Sequence, residues 1–176
     1  MSKLSILNIV HDTTVDGLGF RTAIYGAGCK HQCIGCHNPQ SWNVNNGAEY
    51  SINELLDIVK QDEFSNVTFS GGDPLMQVEG FTELAYRIKL ETNKNIWCYT
   101  GYVFETILKS DKLSRILPYI DILVDGRYID TLKNKDLQFR GSSNQRIIDV
   151  QKSLVIDDTF IFQNNVHYNS IYYPIG

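Results

Sequence analysis

The sequence predicts an α/β protein: a partial, open (β/α) barrel with a parallel sheet. Three observations lead there. Strand-like runs alternate with amphipathic helical runs, the pattern of parallel strands joined by crossover helices. Each named strand run ends in residues capable of chemistry, and parallel sheets bind ligands at the carboxyl ends of their strands. The chain has 176 residues, whereas a closed eight-unit barrel typically takes about 250.

The elements follow in order. Phe20 to Gly26 (FRTAIYG) reads as a strand that runs into a cysteine-rich loop. Ser51-Ile-Asn-Glu54 reads as a capping box, with Ser51 capping a helix and Glu54 reaching back. Leu55, Leu56, Ile58 and Val59 then mark one apolar helix face. Asn66 to Ser70 (NVTFS) is a short strand that stops at Gly71-Gly72. Phe81, Leu84, Ala85 and Ile88 recur at helical spacing. Asn95 to Thr100 (NIWCYT) is the next strand, ended by Gly101, and Val103, Phe104, Ile107 and Leu108 mark the next helix. Ile120 to Val124 is a continuous apolar run, as expected of a strand covered on both faces, and it ends at Asp125-Gly126.

Bulk properties narrow the function classes. The hydrophobic fraction is 43%, enough for a sizeable core. The formal net charge is −4, so no global basic field draws the chain to nucleic acid or anionic lipid. No apolar run approaches the roughly 18 residues that span a bilayer. The N-terminal stretch MSKLSILNIVHD has neither a signal-peptide apolar core nor a small-residue cleavage site. The expectation is one domain over residues 1–176 in the reducing cytoplasm, with residues from about 161 to 176 left unassigned.

The densest chemistry lies in Gly-Cys29-Lys-His-Gln-Cys33-Ile-Gly-Cys36-His-Asn-Pro, a C-x3-C-x2-C spacing with no nearby fourth cysteine. A [4Fe–4S] cube has four irons, and Cys thiolates usually hold all of them. Three thiolates leave one iron for a ligand that is not protein, and an open coordination position usually means chemistry. A disulfide framework needs an oxidising compartment, which the N-terminus does not suggest. A redox dithiol leaves the third cysteine unexplained. A zinc site of three cysteines with His31 or His37 fits the spacing as well as a cluster does, so spacing alone does not separate the two. Cys98 lies in an apolar strand-like run and reads as a small buried hydrophobe.

A second motif, Phe69-Ser-Gly71-Gly72-Asp73-Pro74-Leu75, begins where a strand ends. Paired glycines let backbone approach a ligand closely. Asp73 adds an acceptor for a cationic group, and Pro74 can start the next helical segment. Alone, such a turn is only a tight loop. Beside a cysteine triad on a neighbouring strand end it is far more specific.

With both motifs present, the chain resembles the radical S-adenosylmethionine enzymes. The resemblance implies that Cys29, Cys33 and Cys36 hold one [4Fe–4S] cluster per chain. It implies that the open iron takes the amino and carboxylate groups of S-adenosylmethionine, with Gly71, Gly72 and Asp73 as the amino-binding turn. Two positions depart from the common pattern: Asp73 stands for the usual Glu, and Gly35 for an aromatic residue. A narrower resemblance rests on Asp16-Gly-Leu-Gly-Phe-Arg21, the triad with His37-Asn38-Pro39, FSGGDPL, Tyr99-Thr-Gly-Tyr102, LVDGRYI and Arg140-Gly-Ser-Ser-Asn-Gln145, in that order over roughly residues 6–160. This set is similar to the activating proteins of anaerobic ribonucleoside-triphosphate reductase. Leu18 departs from the Pro that relatives often carry there.

That family implies an activase. A low-potential donor such as flavodoxin reduces the cluster, S-adenosylmethionine is cleaved, and a 5′-deoxyadenosyl radical takes a hydrogen from a backbone glycine of the large reductase subunit. The short chain suits this task, since an open barrel mouth admits a loop of a folded partner. The backbone of Gly35 and His37, which flank Cys36, is expected against the adenine, although His37 also reads as a loop residue or metal ligand. Asp125 is expected at the ribose hydroxyls, or as a turn former before Gly126. Tyr99 and Thr100 either meet the methionine carboxylate or close their strand. Arg21 reads as a substrate or partner contact or a surface charge. Arg140 and Ser142 to Gln145 read as an anion or partner site, or a solvated turn. Tyr168, Tyr172 and Tyr173 in the tail read as a homodimer contact, a partner contact or core. The rivals are an activase of the pyruvate formate-lyase type, a small-molecule radical lyase, and a zinc-binding interaction module without catalysis.

Overall fold

The computed structural model describes residues 3–163. Its centre is a seven-stranded sheet in the order β3-β1-β2-β4-β5-β6-β7. The strands are β1 (Lys3–Thr13), β2 (Arg21–Gly26), β3 (Ala48–Ser51), β4 (Asn66–Gly71), β5 (Ile96–Tyr99), β6 (Ile122–Asp125) and β7 (Arg146–Asp149). The pairings β2·β4, β4·β5 and β5·β6 are parallel. The pairings β1·β2, β1·β3 and β6·β7 are antiparallel. The expected parallel sheet is therefore the middle of a mixed one, extended by antiparallel strands at both sides. The order runs linearly from β3 to β7, so the sheet is open.

Among the described residues, four α-helices complete the α/β pattern: α1 (Ile52–Gln61), α2 (Val78–Glu91), α3 (Phe104–Leu108) and α4 (Val150–Ile156). The capping box ahead of α1 is present. Ser51 Oγ accepts from the Glu54 N–H at 3.3 Å, and Glu54 accepts from the Ser51 N–H at 2.7 Å. A 3-10 turn over Pro74–Gln77 leads into α2. The Asp73 carboxylate caps it by accepting from the Leu75 N–H at 2.9 Å. No helix among the described residues is long and apolar enough to cross a membrane.

Side chains alternate across the sheet, and the two faces differ. The helix-covered face carries the main core. Ile24, Val67, Phe69, Cys98, Leu123 and Ile148 pack there with Leu55, Phe81, Leu84, Ile88 and Ile107 from the helices. The opposite face holds a smaller cluster of Trp97, Ile122 and Val124, flanked by Tyr99, Phe139, Ile147 and Phe162. Arg21 and Thr68 are buried against each other beside it, with Arg21 Nε donating to Thr68 Oγ1 at 2.6 Å. Tyr168, Tyr172 and Tyr173 lie outside the described residues.

Candidate functional site

The parallel strands β2, β4, β5 and β6 all end at one mouth of the sheet. The residues following those ends line a single cavity of about 290 Å³. Cys29, Cys33, Cys36 and His37 come from the loop after β2, Gly71 and Gly72 from the end of β4, Thr100 and Gly101 from the end of β5, and Gly126 from the end of β6. Arg140, Gly141 and Gln145 reach the same cavity from the loop before β7. Motifs more than a hundred residues apart thus meet where a parallel sheet binds its ligands.

The glycine turn is seated by backbone. Gly72 N–H donates to Gly26 O at 2.8 Å, and Asp73 N–H to Gly28 O at 2.9 Å. Gly71 has φ +101°, and a Cβ on it would stand 2.5 Å from Gly26 O. A Cβ on Gly72 would stand 2.5 Å from Gly28 O and 2.9 Å from Ser41 O. Both glycines are therefore demanded by the close approach of the turn to the start of the cysteine loop. Gly35, with φ +75°, plays a similar part: a Cβ there would meet Asp130 Oδ1 at 2.6 Å. The absent side chain lets the segment after β6 close on the cysteine loop, where Tyr128 donates to Asp130 at 2.8 Å and packs edge-on to His37.

Three expected cofactor residues, Asp73, Asp125 and Gly35, are not among those that line the cavity. Asp73 is buried, and its carboxylate accepts from the Leu75 N–H, the Gly101 N–H, Thr100 Oγ1 and His31 Nε2, at 2.8–3.0 Å. Asp125 is buried as well. It accepts from the Phe104 N–H at 2.8 Å, at the start of α3, and pairs with Arg146. Arg146 also holds Glu105, whose carboxyl it pulls down to about 2. Gly35 lies against Asp130 rather than on the lining. Thr100 lines the cavity while its hydroxyl donates to Asp73 at 3.0 Å.

Arg21 differs from each expectation set for it. It is buried at the amino end of β2, remote from the cysteine loop at that strand's other end, and stacked over the Trp97 ring. Burial lowers its guanidinium to about 10. Arg140 to Gln145 form a self-bonded loop. Arg140 Nη1 donates to Gln145 O at 2.6 Å, Gln145 Oε1 accepts from the Gly141 N–H at 2.9 Å, and Gln145 Nε2 donates to Gly126 O at 3.0 Å. Gln145 thus staples the loop to the end of β6.

Tyr25, Trp42, Ser70, Arg127 and Tyr128 also line the cavity and were not foreseen as site residues. Tyr25 and Ser70 are register partners near the ends of β2 and β4, so strand alternation could have found them. Burial and a hydrogen bond to Asp16 push the Tyr25 phenol up. Trp42 has no sequence signal.

The donor set can be tested against a metal group. Three free thiols line one cavity with no carboxylate among the lining residues. Burial pushes the Cys29 thiol up. Asn38 N–H donates to Cys36 Sγ at 3.4 Å. Among the described residues no three His, Cys, Asp or Glu side chains converge as a single metal ion requires. A zinc ion draws its ligands to about 2.3 Å, whereas a cube gives each thiolate its own iron. His31 Nε2 is already engaged by Asp73. The three thiols suit an iron–sulfur cluster, and the His31 ring is not free at Nε2 to complete a Cys3His site.

Comparison with known proteins agrees. Residues 15–148 match the family described as "4Fe-4S single cluster domain", which supports an iron–sulfur cluster. The chain is similar to the anaerobic ribonucleoside-triphosphate reductase-activating protein of Vibrio cholerae, 36% identical over 142 residues, 76% of this chain and 90% of the relative. The protein of that name from Enterobacteria phage T4 is 37% identical over 139 residues, 76% of this chain and 86% of the relative. The one from Escherichia coli K12 is 36% identical over 142 residues, 74% of this chain and 89% of the relative. With the cysteine loop, glycine turn and RGSSNQ loop gathered at one cavity, the chain belongs to the family of anaerobic ribonucleoside-triphosphate reductase-activating proteins.

Proposed function

We propose that this chain is a single-domain activase that generates the glycyl radical on the large catalytic subunit of an anaerobic ribonucleoside-triphosphate reductase. The observation that carries the reading is one cavity lined by Cys29, Cys33 and Cys36 on one side and the Gly71-Gly72 turn on another. When bound, a [4Fe–4S] cluster and S-adenosylmethionine would supply the chemistry: reductive cleavage of the sulfonium C–S bond to a 5′-deoxyadenosyl radical that abstracts hydrogen from the partner's glycine.

The chain's own residues do the rest. Cys29, Cys33 and Cys36 would hold the cluster, and among the described residues no fourth thiol lines the cavity. Gly71 and Gly72 bring main chain to the cavity wall where a side chain would collide with Gly26 and Gly28. Tyr25, Trp42 and Tyr128 supply apolar surface that limits water around a reactive group. The open sheet, read as a shortened barrel, leaves room for a loop of a folded partner to enter. Flavodoxin or a similar low-potential protein is proposed as electron donor, the cytoplasm as location, and a homodimer as a candidate assembly.

The test is anaerobic reconstitution with iron and sulfide, followed by reductant, S-adenosylmethionine and the reductase subunit. The expected result is about four irons per chain, methionine and 5′-deoxyadenosine as products, and a doublet EPR signal on the partner. The doublet arises because the glycine α-carbon keeps one hydrogen. Activation of pyruvate formate-lyase instead would move the partner assignment and keep the chemistry. One colourless zinc per chain with no cleavage would sink the proposal.

A further inference from the structure

We infer that His31 is a positioning residue: its imidazole, gripped by the buried Asp73, seats the cysteine loop against the Gly71-Gly72 turn. This deepens the proposed function and rests on it for the cofactor measurements. Asp73 then serves the site from behind, as the hub of that clip, while main chain of the turn faces the cavity.

The loop from Lys30 to Gly35 is where anchoring is scarce. Cys29 N–H donates to Trp42 O at 3.1 Å, which fixes the loop's start. Cys36 N–H donates to Cys33 O at 3.1 Å, a bond within the loop itself. Between those points, His31 alone among the described residues is hydrogen-bonded to the rest of the protein. Its Nε2–H donates to Asp73 Oδ2 at 2.8 Å, and its carbonyl accepts from Arg127. The histidine therefore joins the cysteine loop to the glycine turn and to the segment after β6.

The pocket for the ring is shaped for it. The His31 side chain is only 13% exposed and Asp73 is 1% exposed. Tyr102 packs edge-on to the imidazole with ring centroids 4.8 Å apart. A Cβ on Gly101 would stand 2.4 Å from the His31 ring, so glycine is needed at that position for the ring to fit. Asp73 is held in place by Thr100 Oγ1 and the Gly101 N–H, both at 3.0 Å. A hydrogen bond to a charged group, made where water is excluded, is worth roughly 1.5–3 kcal/mol. That is about a tenfold to hundredfold change in an equilibrium, enough to decide how a short loop is seated.

The experiment compares the wild type with His31→Ala, His31→Gln and Gly101→Ala. In the chain before iron is added, alkylation of Cys29, Cys33 and Cys36 should speed up several-fold in His31→Ala and Gly101→Ala. His31→Gln, which keeps an N–H donor toward Asp73, should stay near the wild-type rate. After reconstitution, His31→Ala should keep its iron but weaken S-adenosylmethionine binding by about tenfold or more, read from the cofactor-induced change in the reduced cluster's EPR signal. His31→Gln should restore most of it. Unchanged alkylation and unchanged cofactor affinity in His31→Ala would overturn the inference. So would loss of iron as complete as in Cys29→Ala and unrescued by Gln, which would make His31 a metal ligand. If the wild type with iron binds no S-adenosylmethionine, the proposed function fails, and the alkylation contrast still decides the clip.

Discussion

The two ends of the parallel strands use similar polar residues in opposite ways. At the amino end, Arg21 is buried and its donors are spent on Thr68 Oγ1, Leu18 O, Val67 O and Asn95. Its planar group lies over Trp97. At the carboxyl end, Asp73, Asp125 and Gln145 are consumed in the same manner, each closing bonds between loops. There, however, the closure leaves three thiols and the edge of a glycine turn facing a cavity. The lesson is that buried charge does not by itself mark a site. What marks it is the set of reactive groups that the surrounding bonds leave unspent.

The strongest way to break this contrast is at the thiols. Replacing Cys29, Cys33 or Cys36 by Ala should each remove the cluster, with iron falling from about four per chain to background. The thermal midpoint of the iron-free chain should barely move, since each of these residues is only partly buried. Iron retained in any one of the three would break the ligand set. Next comes Gly72→Ala. Its Cβ would press on the carbonyls of Gly28 and Ser41, which seat the cysteine loop. Iron uptake should fall, and cofactor affinity should drop by at least about tenfold, measured on the fraction that keeps its iron. Normal affinity would mean that the turn does not fix the loop.

A change at the other end sharpens the contrast from the opposite side. Arg21→Met keeps the apolar stem and removes the donors, leaving Thr68, Val67 and Asn95 acceptors unpaired in a buried setting. The expected cost is about 3 kcal/mol, or roughly 6–12 °C in thermal midpoint for a domain of this size. Iron per folded chain should be unchanged. Iron loss without destabilisation would tie the two ends together and contradict the division drawn between them.

Sequence legibility divides along a physical line. Apart from β3, the strands and α-helices from Phe20 to Asp125 were readable because their signals are local. A capping box at Ser51, helical spacing of apolar residues, and glycine or Asp-Gly at strand ends each act within a few residues. The strands β1, β3 and β7 were not anticipated. They pair antiparallel at the flanks of the sheet, and β3 and β7, four residues each like β5 and β6, are followed by no glycine of the kind that marks the ends of those two. The same line runs through the site. The cysteine triad and the glycine pair are local motifs, and both reach the cavity. Asp73 and Asp125 carried side-chain expectations that depend on distant partners. His31 is 42 residues from Asp73, and Arg146 is 21 from Asp125. Nothing in the local sequence says that those carboxylates are already taken.

The smallest effect tests why three thiols, and not Cys98 as a fourth, face the cavity. Cys98 is fully buried, and burial pushes its thiol well above its ordinary range. It sits on β5 between register partners Phe69 and Leu123, within the helix-side core. Trp97 and Tyr99, its neighbours, belong to the other face. Strand alternation thus turns Cys98 away from the face that reaches the cavity. Cys98→Ala should cost about 1 kcal/mol by leaving a small void, seen as a few degrees in thermal midpoint. Iron content and cofactor response should match the wild type. Loss of iron in Cys98→Ala would mean that β5 presents its thiol to the cluster. The open coordination position would then be closed by protein, and the division of the sheet into a packing face and a working end would fail with it.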